Sequence, residues 1–161
     1  MRYLNKIVFI NSAAIRYSEV QLDGNIHLIG TQGVGKSTIL RAILFFYNAD
    51  TQRLGIPVEK KSYQDYYFPY ADSSIIYEVA REDGWFTVLS YKTMNRICYR
   101  FIASPYRPDL FIDEEGAPYP SDRIRSVLDK NGIKYSGAIS TYEEYRNILY
   151  GNSDNKRDYS C

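Results

Sequence analysis

Residues 30–37 read Gly30-Thr31-Gln32-Gly33-Val34-Gly35-Lys36-Ser37, a full match to the pattern G-x-x-x-x-G-K-[ST]. Eight residues here constrain a ligand class, a metal and a local fold together. Glycines let the backbone curl so that several N–H groups converge on a phosphate. Lys36 supplies a point charge for the β- and γ-phosphates, Ser37 a hydroxyl for Mg²⁺, and Thr38 a further phosphate contact. A helix opening at this point aims the positive end of its dipole at the anion.

The pattern has this meaning only between a strand and a helix. Asp23-Gly24 followed by the apolar run 25–29 reads as a turn entering a strand. Residues 39–47 are apolar nearly all round, as in a helix packed inside a domain. The competing reading, a glycine-rich turn with a chance lysine, leaves both neighbours unexplained.

At 161 residues the chain has the length of about one domain, and its 45% hydrophobic content allows a core. A net charge of +1 gives no global attraction to nucleic acid. Two cysteines, Cys98 and Cys161, have no metal-ligand spacing and imply no disulfide framework; Cys98, in a strand-like run, reads as a buried apolar residue. Neither a membrane span nor a leader is expected, which points to the cytoplasm. Tyrosine is frequent, at 17 residues, with Tyr63, Tyr66, Tyr67 and Tyr70 in one segment. Packing against the core accounts for that cluster more simply than an aromatic surface for bases or a partner.

Alternation predicts strands at 7–10 and 17–22, then a β-meander over 74–80, 85–91 and 97–102 with a turn at Glu82-Asp83-Gly84. Residues 50–72, with Gly55, Pro57 and Pro69, read as a long connecting segment. Leu110-Phe111-Ile112 leads into the acidic turn Asp113-Glu114-Glu115-Gly116. A helix capped by Ser121 and ending at Asn131-Gly132 follows. Thr141-x-x-Glu144 then forms a capping box for a helix with a core face of Tyr145, Ile148 and Leu149. Residues 1–150 read as one α/β phosphate-loop domain with a mixed sheet and an antiparallel meander, and 151–161 as a polar, frayed and truncated tail.

A hairpin before the loop and an antiparallel meander after it differ from the parallel βα units of small kinases or Ras-like domains. The order resembles the N-terminal lobe of the ABC-type ATPase heads of SMC, RecF and RecN proteins. The resemblance is carried by the 7–10 strand, by Ile26-His27-Leu28-Ile29-Gly30 leading into Gly33-Val34-Gly35-Lys36-Ser37-Thr38-Ile39-Leu40-Arg41, by the meander, and by residues 111–116 with the helix at 122–131. Phe46-Tyr47-Asn48-Ala49-Asp50 and Tyr66-Tyr67-Phe68-Pro69-Tyr70 are similar to the MukB-like branch that includes the Wadjet plasmid-defence ATPases. The resemblance implies ATP with Mg²⁺ as ligand and hydrolysis completed by a C-terminal lobe and a second head. It also implies action on DNA in chromosome organisation, repair or plasmid defence. Under it, Arg16 on the first hairpin and Arg53 in the long segment become phosphate or DNA contacts, and Tyr17 a stacking partner for adenine. Gln32 stands where the family usually has Asn, Arg41 where the SMC pattern often has Asp, and no Gln follows Gln64 to serve a Q-loop.

Other patterns carry chemistry of their own. Leu110-Phe111-Ile112-Asp113-Glu114 can be read as a Walker B strand, with Asp113 holding Mg²⁺ through water and Glu114 polarising the attacking water. An acidic β-turn is the simpler reading, because only three apolar residues precede Asp113 and Gly116-Ala117-Pro118 interrupts the strand. Asp113–Gly116 also matches D-x-x-G, and Asn155-Lys156-Arg157-Asp158 matches the guanine-reading N-K-x-D, so a GTPase-like switch is an alternative. Against it, only three residues follow Asp158 to build a base pocket. A non-catalytic fragment of the fold is the other alternative. Lys60, Lys61 and His27 read as ordinary solvated or strand residues.

Overall fold

The computed structural model describes residues 3–22, 35–48, 63–94 and 96–149. Its elements are β1 (Tyr3–Ser12), β2 (Ile15–Gln21), α1 (Lys36–Asn48), α2 (Tyr63–Tyr67), β3 (Ser74–Arg81), β4 (Gly84–Thr93), β5 (Arg96–Ile102), α3 (Ser121–Lys130) and α4 (Tyr142–Leu149). A 3₁₀ turn spans Pro108–Leu110. The architecture is mixed α/β, built on one five-stranded sheet in the order β2-β1-β3-β4-β5. Every pairing in it is antiparallel. The parallel strands that would make the sheet mixed are not among the described residues, and the expected 25–29 strand lies outside them.

Alternation along the strands divides the interior into two cores. Ile7 and Phe9 of β1 face one side, where they meet Ile39, Ala42, Phe45 and Phe46 of α1 and Tyr145, Ile148 and Leu149 of α4. Val8 and Ile10 face the other, with Leu110 and Phe111 and with Ile124 and Leu128 of α3. Helices therefore cover both faces, and β3 is buried from Ser74 to Ala80. That is why its sequence is a near-continuous apolar run rather than an alternating one.

The meander forms as the sequence pattern predicts. Arg81 pairs with Gly84 across a two-residue turn, and Gly84 takes φ 148°, a value that favours glycine. Cys98 is buried, and burial pushes its thiol pKa up. In α4 the amide of Glu144 donates to Thr141 Oγ1 at 3.3 Å, as a cap should, and the expected face of Tyr145, Ile148 and Leu149 is buried. Helix α3 ends in a Schellman motif: Ile133 N donates to Leu128 O at 3.0 Å and Gly132 N to Asp129 O at 3.1 Å, with Gly132 at φ 68°.

Several expectations need correction. Strand β2 begins at Ile15, because the turn after β1 takes only Ala13 and Ala14. Helix α1 begins at Lys36, and so opens at the phosphate loop as expected. The segment 50–72 carries α2, which is held by tertiary bonds. Ser121 does not cap α3. Pro120 stands at the cap with no side-chain bond, and its carbonyl takes the first amides, from Arg123 at 2.9 Å and Ile124 at 3.2 Å. Residues 110–112 close a 3₁₀ turn and do not form a strand; Ile112 makes one isolated bridge, to Pro118. Among the described residues no helix is long and apolar enough to cross a membrane.

Candidate functional site

The described part of the phosphate loop is its exit into α1. Gly35, Lys36 and Ser37 are exposed, whereas Thr38 is buried. The backbone bond from Ile39 N to Gly35 O, 3.2 Å, opens the helical ladder. The amides of Lys36, Ser37 and Thr38 precede it and have no intrahelical acceptor. Among the described residues a Cβ built on Gly35 would meet only Thr38 Oγ1, at 4.0 Å. An exposed ammonium, an exposed hydroxyl and the leading amides of a helix are a donor set suited to a phosphate with its cation. Gly30, Thr31, Gln32, Gly33 and Val34 lie outside the described residues, as do Arg53 and the 155–158 motif.

Beside this turn stands α2. Tyr67 is fully buried, and its hydroxyl donates to Thr38 O at 3.1 Å. Burial, the largest influence, pushes the Tyr67 pKa up to about 12, against the opposing effect of the Arg41 charge. One residue earlier, Tyr66 O accepts the amide of Ala13 at 3.2 Å. Residues 66 and 67 thus join the β1–β2 turn to the first turn of α1. Lys92 of β4 adds a contact to Asp65, 3.9 Å. Of the tyrosine cluster, Tyr67 is core, Tyr66 packs edge-on to it at 4.9 Å, and Tyr70 is 64% exposed. The packing reading holds for the first two.

The β1–β2 turn is strained. Asn11, Ala13 and Ala14 have φ of 45°, 50° and 63°, values that residues other than glycine rarely adopt. Arg16 leaves this turn and lines a groove of about 610 Å³ against Asp65, Tyr66 and Tyr70 of the α2 region. It is therefore brought toward the side of the molecule that carries α1.

Tyr17 goes to the other face. It pairs with Ile10, whose side chain lies in the α3 core. Its hydroxyl donates to Glu19 Oε2 at 2.7 Å and shares a 2.7 Å hydrogen bond with the Tyr106 hydroxyl. Burial is the main reason its pKa rises to about 12. Asp113 and Glu114 share a cavity of about 1330 Å³ with Tyr17 and with Arg123 and Lys130 of α3; Arg16 reaches its rim. Asp113 Oδ1 accepts the amides of Glu115 and Ala117, both at 2.9 Å, and Gly116, at φ 85°, returns its amide to Asp113 O at 3.0 Å. This is an acidic turn held by its own aspartate. Phe111, two residues before it, packs in the core across the sheet from α1. The structure thus joins the first turn of α1 to the β1–β2 turn through α2, and places Arg16 both beside α2 and in the cavity of Tyr17, Asp113 and Glu114.

Sequence reasoning missed Tyr67 as a site neighbour. No local signal marks it, because its importance comes from Thr38, which is 29 residues away. Among the described residues no group of three or more His, Cys, Asp or Glu side chains is arranged to hold a metal ion.

The fold and the loop exit together define a mixed α/β domain with a five-stranded antiparallel sheet and an exposed Lys-Ser helix start. Over residues 11–158 the chain matches the family described as "Protein of unknown function (DUF3584)", a domain family associated with RecF-, RecN- and SMC-like proteins, and it belongs to that family. No curated protein matches it.

Proposed function

We propose that this chain is the MgATP-binding half of an SMC/RecF-like ATPase head that acts on DNA. The observation that carries the reading is the junction at residue 36. A complete phosphate-loop sequence ends where α1 begins, with Lys36 and Ser37 exposed. Gly30, Thr31, Gln32, Gly33, Val34 and Gly35 would wrap the phosphates with backbone amides. Lys36 would neutralise their charge, Ser37 would hold Mg²⁺, and Thr38 would add a contact. Mg²⁺, when bound, screens the phosphate charge. Arg16 and Arg53 are further phosphate or DNA contacts in this reading. The family's association with RecF-, RecN- and SMC-like proteins supports it.

Hydrolysis in this reading comes from a C-terminal lobe and a second head, because Asp113 is committed to its own turn. The isolated chain binds nucleotide without turnover. Residues 46–50 and 66–70 favour the MukB-like branch with its Wadjet ATPases. The DNA process is then chromosome organisation, repair or plasmid defence, in the cytoplasm.

The test is MgATP binding by the 161-residue chain, its Lys36→Ala and Ser37→Ala variants, and a GTP competition series. Lys36→Ala should abolish binding, and Ser37→Ala should weaken it in Mg²⁺ more than in EDTA. Equal binding by the wild type and Lys36→Ala would overturn the reading. A preference for guanine lost in Asp158→Ala would replace it with the GTPase alternative.

A further inference from the structure

Three tyrosine hydroxyls from three separate elements donate to carbonyls along a single stripe of α1. Tyr67 of α2 donates to Thr38 O, Tyr77 of β3 to Ala42 O, and Tyr145 of α4 to Phe46 O. The acceptors are spaced by four, so they lie one turn apart on one face of the helix. All three tyrosines are fully buried. At Thr38 and Ala42 the carbonyl already accepts an amide four residues on, and its second lone pair takes the hydroxyl; Phe46 lies in the last turn of α1, where no amide four residues on belongs to the helix. These bonds add an axial register to what would otherwise be an apolar contact able to slide.

The rungs are not equivalent. Tyr77 stands in the sheet, and Tyr145 stacks on Tyr99 at 4.3 Å in the core beneath the far end of α1. Tyr67 serves the first turn, which bears Lys36 and Ser37. Its carrier, α2, is five residues long, too short to persist without outside attachments. Those attachments include the β1–β2 turn, through Tyr66 O, and α1, through the Tyr67 hydroxyl.

We infer that Tyr67 is a positioning residue for the triphosphate: its hydroxyl sets the first turn of α1, with Lys36 and Ser37, against the β1–β2 turn, which Arg16 of β2 closely follows. Tyr77 and Tyr145 hold the helix to the fold and leave that geometry unchanged. This rests on the phosphate-loop reading proposed above. Phenylalanine at each rung deletes one hydroxyl and keeps the ring, so the three variants separate position from packing.

The experiment compares MgATP affinity, melting temperature and amide hydrogen exchange for wild type, Lys36→Ala, Tyr67→Phe, Tyr77→Phe and Tyr145→Phe in the full chain. Tyr67→Phe should weaken MgATP binding by about three- to tenfold, the equivalent of one hydrogen bond. Its melting temperature should fall no further than those of the other two rungs, and exchange at the Ala42 amide should quicken. Tyr77→Phe and Tyr145→Phe should lower the melting temperature and keep the wild-type affinity. Wild-type affinity in Tyr67→Phe, with Lys36→Ala unable to bind, overturns this inference alone. So do equal losses of affinity at all three rungs. Unchanged binding in Lys36→Ala overturns the phosphate-loop reading and this inference with it.

Discussion

Asn5 Nδ2 donates to Glu78 Oε1 at 2.7 Å across 73 residues of sequence, inside the sheet. Asn5 sits where the β1–β3 register shifts between Leu4 and Lys6, and this shift turns an amide toward a carboxylate that would otherwise lack it. Tyr106 N donates to the second oxygen, Glu78 Oε2, also at 2.7 Å. Glu78 is only 5% exposed, so both donors depend on it. Replacing it with alanine leaves two buried N–H groups without acceptors. We expect Glu78→Ala to lose about 2–4 kcal/mol of stability. Glu78→Gln should lose only about 1 kcal/mol, because a flipped Asn5 amide can accept from the new NH₂ while Tyr106 keeps its acceptor. Urea denaturation of the two variants checks this; equal losses would contradict it.

The strained turn between β1 and β2 gives the opposite sign. Ala14 is exposed at φ 63°, so its methyl group packs on little and costs conformational energy. Ala14→Gly should stabilise the protein by about 0.5–1 kcal/mol, the strain relief exceeding the added freedom of the unfolded chain. Ala13, at φ 50°, is only 6% exposed and packs in the α1 core, so Ala13→Gly should gain less. Thermal melts of the two variants decide the order.

Alkaline pH should unfold the protein through its tyrosines. Burial, the leading cause for both, raises Tyr17 and Tyr67 from 10.0 to about 12, and Tyr99 and Tyr106 are raised by burial as well. Below pH about 10 folded and unfolded chains both keep these protons, and the stabilisation is complete. Between pH about 10 and about 12 the unfolded chain releases protons that the folded chain retains, so stability falls as pH rises. Denaturant midpoints measured across that range should decline steadily, with a further step of tyrosinate absorbance as the fold is lost and these four side chains are released. A constant midpoint would refute the expectation.

Asp113 offers a test of its role as a turn residue. Asp113→Ala removes the acceptor of the Glu115 and Ala117 amides and should cost about 0.5–1.5 kcal/mol, since the turn is partly solvated. Asp113→Asn retains an acceptor oxygen and should cost less. MgATP affinity should be unchanged in both. Nucleotide turnover by the chain that disappears in Asp113→Asn would instead make this aspartate the Walker B carboxylate.

Local chemistry made much of this fold legible. The meander could be read because Gly84 supplies a backbone angle the turn needs and its strands alternate or run apolar. The end of α3 could be read because Gly132 permits a left-handed turn, and the start of α4 because Thr141 is a good cap. The start of α3 was misread because any serine before an apolar period looks like a cap, while here the Pro120 carbonyl serves. Helix α2 was invisible because no property of residues 63–67 makes a helix by itself; Thr38 and Ala13 do. For the site, the motif marked Lys36 and Ser37 directly. The placement of Tyr17 on the face of the α3 core depends on strand parity, which follows only once the β1–β2 register is known.

Strand β1 lies inside the sheet, flanked by β2, which follows it at once, and by β3, which begins only at Ser74. A chain emerging from the ribosome can therefore close the first hairpin early, yet it carries the other edge of β1, with Ile7, Val8 and Phe9, uncovered until some sixty more residues have been made. During that interval the hairpin is an open template for any passing strand. The stretch that contains the phosphate loop is synthesised within the same interval. The order of the strands thus leaves this edge exposed until the long loop closes and β3 covers it.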